Sequence, residues 1–191
     1  MALFRKTRKN ALLRRNEKPI KQFRLQVETE LEALTVILQW FERIAKPLLL
    51  KKLFWQCQVA LAEGFTNTVR HAHQNLPPTT KIDLEVNLFV GCLEMRIWDW
   101  GKPFDLEAKL KSLRQNNQDP LEKEGERGLL FMQELTDELA YIRMSNQCNC
   151  LVMRKRISGL SFVVCYLLFV ICHLFSCPLF LFRDCSLMTD D

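Results

Sequence analysis

Two alternating runs either side of Gly91 restrict the fold of this chain more than any other feature. Ile82, Leu84, Val86 and Leu88 alternate with Asp83, Glu85 and Asn87, and Leu93, Met95 and Ile97 alternate with Glu94 and Arg96. Period-two alternation sends every apolar side chain to one face of a strand, so two such runs joined at a glycine form an antiparallel hairpin with one buried face. That face needs a cover, and the preceding segments supply it. Thr29-Glu30-Leu31-Glu32 reads as a capping box opening a helix that runs to about Ile44 and stops near Pro47. A second helix runs from Lys51 through Val59, Leu61, Ala62, Phe65 and Val69 to about His73, and Pro77-Pro78 prevents its continuation.

The remaining elements follow the same logic. Ile20 to Val27 alternates like a further strand. Lys102 to Arg127 is a polar connection with a short helix around Leu106 to Leu113, and a buried helix is expected to start directly after Gly128 and run through Leu135. Ala140 to Met144 and Cys150 to Arg154 form a last hairpin around Ser145-Asn146-Gln147. Strands clustered with helices on one side make an α+β two-layer sandwich. With 191 residues, 48% of them hydrophobic, the chain can bury one ordinary core with appendages.

Charge and cysteine usage narrow the class. Residues 1–19 are a basic arm carrying Arg5, Lys6, Arg8, Lys9, Arg14, Arg15 and Lys18 against Glu17, within a net charge of +5. An anionic partner and a merely solvated leader both explain it. The eight cysteines include no C-x-x-C pair, and the N-terminus has no apolar leader, so reduced thiols in a cytoplasmic domain are expected; Cys148-Asn149-Cys150 reads as hairpin rather than metal chemistry. Residues 157–182 contain no Lys, Arg, Asp or Glu, long enough to cross a bilayer as a helix, with residues 183–191 as a short polar terminus. Two readings stay open there: a tail anchor holding the domain at the inner face of the plasma membrane, and an extension past an altered stop.

Three polar constellations punctuate the domain. Glu63, Asn67 and His71 lie four apart on one helix and project from nearly one face, where either a solvated ridge or a pocket wall accounts for them. Asp99-Trp100-Gly101 follows a strand, with a glycine where backbone must turn or approach a ligand; an ordinary strand-ending turn has the same composition. Gly125-Glu126-Arg127-Gly128 precedes a helix, whose free amides can seat a phosphate. A Walker loop is absent.

In combination and in this order, the three resemble the N, G1 and G2 boxes of the GHKL ATPases. Glu63 to Ala72, Asp99 to Asp105, and Arg127 to Met132 with Thr136-Asp137-Glu138 resemble more closely the small serine kinases that act as bacterial anti-sigma factors, over roughly residues 20–156. The resemblance implies a Bergerat-type sandwich that binds ATP and Mg²⁺. By it, Asn67 would hold the metal and Glu63 would be the general base toward a substrate serine. Asp99 would accept a hydrogen bond from the adenine amino group, Gly101 would make room for the base, and Gly125, Arg127, Gly128 and Leu129 would meet the phosphates. The implied partners are a STAS-type anti-sigma-factor antagonist, which is phosphorylated, and a sigma factor, which is sequestered. No direct nucleic-acid contact is implied, and a homodimer is left open. The alternative is an ATP-binding regulatory module without kinase turnover, because Glu126 occupies a place where a further small residue would ease lid closure.

Overall fold

A computed structural model describes residues 18–115, 124–144 and 147–157. Five strands, β1 (Lys21–Glu28), β2 (Lys81–Phe89), β3 (Cys92–Asp99), β4 (Glu138–Arg143) and β5 (Asn149–Arg156), form one sheet in the order β1-β2-β3-β5-β4. Every neighbouring pair is antiparallel. Four helices accompany it: α1 (Ala33–Ala45), α2 (Lys51–Asn67), α3 (Leu106–Gln115) and α4 (Glu124–Leu135). The expected α+β sandwich is the architecture observed. The basic arm and the apolar tail beyond Ile157 lie outside the described residues, and among those described no helix is long and apolar enough to cross a membrane.

The alternation that predicted the hairpin also sets the core. Leu84, Val86, Met95 and Ile97 point to the helical layer and are fully buried against Ile37 and Phe41 of α1, Leu61 and Phe65 of α2 and Met132 of α4. Each such side chain contributes about 1.5–3 kcal/mol by leaving water. Gly91 closes the β2–β3 turn at φ +69°, a left-handed conformation that favours glycine. The opposite side of the sheet carries a chain of ion pairs across all five strands: Arg24 to Glu85 at 3.0 Å, Arg96 to Glu94 at 2.7 Å, Arg154 to Glu94, and Arg154 to Glu138 at 3.1 Å. Glu94 is fully buried within it, which a carboxylate tolerates only when paired.

Three local expectations are corrected. The capping box at Thr29 does not form: α1 begins at Ala33, its N-cap Glu32 makes no side-chain cap, and backbone turns from Ala33 to Glu30, Leu34 to Leu31 and Thr35 to Glu32 lead into it. Thr29 spends its hydroxyl on Thr80 O instead, a tertiary partner that outcompetes the local cap. The second helix changes register, with α2 passing into a π turn over Thr68–Ala72. Finally, α4 begins at Glu124 rather than after Gly128, so Gly128 lies within the helix, where a glycine costs roughly 1 kcal/mol relative to alanine.

Candidate functional site

Asn67 at the end of α2, Thr68, His71 and Ala72 of the π turn that follows it, Asp99 at the end of β3, Leu129 and Met132 of α4, and Tyr141 and Leu151 of β4 and β5 wall one cleft of about 400 Å³. Each reaches it for a local reason. Gly64 lets α2 sit directly on the sheet, since a Cβ there would press on Ile97 at 2.8 Å. The next turns of the helix are thereby brought over the end of β3. The π turn inserts one residue into the helical repeat, a feature frequent at functional sites, and His71 within it lines the cleft together with Asn67.

Asp99 is the electrostatic centre. It is 2% exposed, yet both oxygens are partnered: Oδ1 accepts the Gly101 N–H at 2.9 Å and Asn149 Nδ2 at 2.7 Å, while the Tyr141 hydroxyl donates to Oδ2 at 3.1 Å. The partners come from β-sheet register, because Asp99 faces Asn149 across β3–β5 and Asn149 faces Arg143 across β5–β4. Asn149 also donates to Gly101 O at 2.9 Å and accepts from Arg143 at 2.8 Å. The turn and the carboxylate are thus fixed as one unit. Burial and the adjacent Asp99 carboxylate push the Tyr141 phenol far upward, so it stays a proton donor. Its ring packs on Phe104 at 4.5 Å between centroids, and Phe104 lines the same cleft. The pattern is a largely apolar slot with one oriented acceptor at its end.

A second polar group lies where α2 meets α4. Glu63 and Asn67 meet α4 at Gly128, where a Cβ would overlap the Glu63 carboxylate and sit 3.1 Å from Asn67 Nδ2. The buried Asn67 Nδ2 atom has no hydrogen-bond partner. Rotating that amide would present its oxygen at the same place, so the group is suited to a hard cation, which takes oxygen ligands. The Lys102 and Lys109 side chains, which the sequence reading did not single out, bring positive charge to the cleft.

Of the residues expected at a site, Asn67, Asp99 and Leu129 line this cleft. Glu63 and Gly128 are not among the residues that line it but touch each other beside Asn67, and Gly101 is in the turn bonded to Asp99. Gly125 and Arg127 fall inside α4. Because Gly128 is the fifth residue of that helix, the free amides of its first turn belong to residues 124–127 and not to Gly128. Tyr141, Asn149 and Arg143 were missed; the one signal was a polar Asn149 opening a strand that continues with the apolar run Cys150 to Met153. Among the described residues no group of His, Cys, Asp and Glu could by itself hold a metal ion, and Cys57, Cys92, Cys148 and Cys150 are buried and are not joined by disulfides to one another.

Residues 27–155 match the histidine kinase-like ATPase domain family. Over 86 residues the chain is 33% identical to the serine-protein kinase RsbW of Bacillus licheniformis, which covers 43% of this chain and 53% of that protein. The chain therefore spans about half the length of the curated relative it matches.

Proposed function

Given that the chain belongs to the histidine kinase-like ATPase domain family, we propose that its cleft binds ATP with Mg²⁺ and transfers the γ-phosphoryl group to a protein serine. The observation that carries this reading is the pairing of an apolar slot holding the buried, oriented Asp99 carboxylate with the unpartnered Asn67 amide on its wall and Glu63 beside that amide at Gly128. The first suits a flat base with an exocyclic amino donor. The second suits a polyphosphate with its cation, and Lys102 and Lys109 add charge of the right sign.

Asn67 would hold the metal, which when bound neutralises charge on the phosphate oxygens. Glu63 accepts the proton of the attacking serine hydroxyl. The serine Oγ forms its bond to the γ-phosphorus as the bond from that phosphorus to the β–γ bridging oxygen breaks, and ADP leaves. Gly128 keeps α4 close enough to hold Glu63 in place. Similarity to RsbW supports a STAS-type antagonist as the phosphoryl acceptor, through one of its serines, and a sigma factor as the sequestered partner.

The test is transfer of γ-labelled phosphate by the full chain to a panel of STAS-type antagonist domains. Glu63→Gln should keep ATP binding and lose phosphoserine formation. Transfer unaffected by that change removes Glu63 from the chemistry, and ATP binding without transfer by the unaltered protein favours a nucleotide switch with no turnover.

A further inference from the structure

His73 has no place in the reading above. It is 2% exposed, it is absent from the cleft wall, and it joins three separate segments. The Trp100 N–H donates to its Nε2 at 3.0 Å, and its Nδ1 lies 2.8 Å from Thr29 Oγ1, which in turn donates to Thr80 O at 2.7 Å. Proton counting fixes the tautomer. The single Thr29 hydroxyl proton is committed to Thr80 O, so the Nδ1–H must be the donor to Thr29, and Nε2 keeps the lone pair that accepts from Trp100. The bonds run in one direction from the Asp99-Trp100-Gly101 turn to the end of β1 and the entry to β2. Burial lowers the tendency of the ring to protonate, with Asp99 opposing more weakly.

The backbone around His73 is held as firmly. Its own N–H closes the π turn onto Thr68 O at 2.8 Å, and its carbonyl accepts from Leu76 at 2.8 Å. The preceding residue, Ala72, presents its carbonyl to Gly101 so closely that any Cβ at Gly101 would overlap it. Consecutive residues of one segment thus touch consecutive residues of the turn that carries Asp99.

We propose that His73 is a positioning residue for base recognition: its neutral imidazole anchors the Trp100 amide, and so the aim of the Asp99 carboxylate, from behind the cleft. This rests on the cleft being the nucleotide site. Removing the acceptor leaves a part-buried N–H unpaired and frees the turn to shift, so selectivity between an adenine, which offers an amino donor, and a guanine, which offers a carbonyl there, should fall.

The experiment compares His73→Leu, His73→Gln and Thr29→Val with the full wild-type chain by equilibrium binding of ATP and GTP, and by hydrogen exchange at the Trp100 amide. His73→Leu should lose selectivity for ATP over GTP by about tenfold and speed Trp100 exchange, the size expected for loss of one part-buried hydrogen bond. His73→Gln, whose amide oxygen can reach the Nε2 position, should restore most of both. If His73→Leu does not fold, Thr29→Val decides, with a smaller loss of selectivity expected. Selectivity and Trp100 exchange unchanged in whichever of these two variants folds overturn the proposal. A wild-type chain that binds neither nucleotide defeats the cleft assignment instead, and Trp100 exchange in the variants then still reports whether His73 holds the turn.

Discussion

Replacing Tyr141 by Phe isolates one bond of the site. The hydroxyl donates to Asp99 Oδ2 at 3.1 Å with a longer approach to Oδ1 at 3.4 Å, and the ring packs on Phe104 independently of it. Phe keeps that ring contact and removes only the bond. Hydrogen bonds to charged groups contribute about 1.5–3 kcal/mol, and since Tyr141 is only half-buried, the lower end, about 1.5 kcal/mol, applies. For a chain of this size that corresponds to a fall in melting temperature of about 3–6 °C. The same loss leaves Asp99 held by Gly101 and Asn149 on Oδ1 alone. ATP affinity should drop by roughly tenfold, the equivalent of about 1.4 kcal/mol. Differential scanning calorimetry and isothermal titration with ATP measure the two effects on one sample. Tyr141→Phe with unchanged melting and unchanged ATP affinity refutes the argument that this hydroxyl orients Asp99.

Other consequences can be measured separately. Gly128→Ala pushes its new Cβ into the Glu63 carboxylate; a helical Ala gains about 1 kcal/mol over Gly, so the fold should survive while labelled phosphate transfer falls well below ATP binding. Asn149→Asp puts a second carboxylate beside Asp99 and removes the donor to Gly101 O; chemical denaturation should show a loss of about 3 kcal/mol or more at neutral pH that shrinks on acidification. Glu94→Ala strips Arg154 and Arg96 of a fully buried counter-ion, and urea titration should show a loss of about 3–5 kcal/mol. His73 is harder to protonate folded than unfolded, so its contribution to stability is complete above about pH 6.5 and is lost as pH falls below that value. The acid limb of a stability–pH profile should therefore be shallower in His73→Gln than in the wild type.

The hairpin and the helical cover were legible because period-two and helical spacing are local, and Ile82 to Ile97 carries the signal in one uninterrupted stretch. So were the polar constellations as clusters, since Glu63 and Asn67 share a helix face whatever surrounds them. What could not be read was long-range. Tyr141 and Asn149 meet Asp99 only through the register of three strands from distant parts of the chain. Thr29 satisfies a local capping pattern, yet its hydroxyl goes to Thr80 and its oxygen faces His73, partners 51 and 44 residues away. The π turn after Asn67 is likewise invisible in spacing, and it ends at Ala72, whose carbonyl lies against Gly101 from another part of the chain.

The most direct test of the central claim is calorimetric titration of ATP into the full chain with and without Mg²⁺, repeated for Asn67→Ala and Asp99→Asn. The account predicts Mg²⁺-dependent ATP binding by the wild type, loss of the Mg²⁺ dependence in Asn67→Ala, and loss of preference for ATP over GTP in Asp99→Asn. Wild-type binding that ignores Mg²⁺ and discriminates no base, or variants that behave as the wild type does, would contradict it.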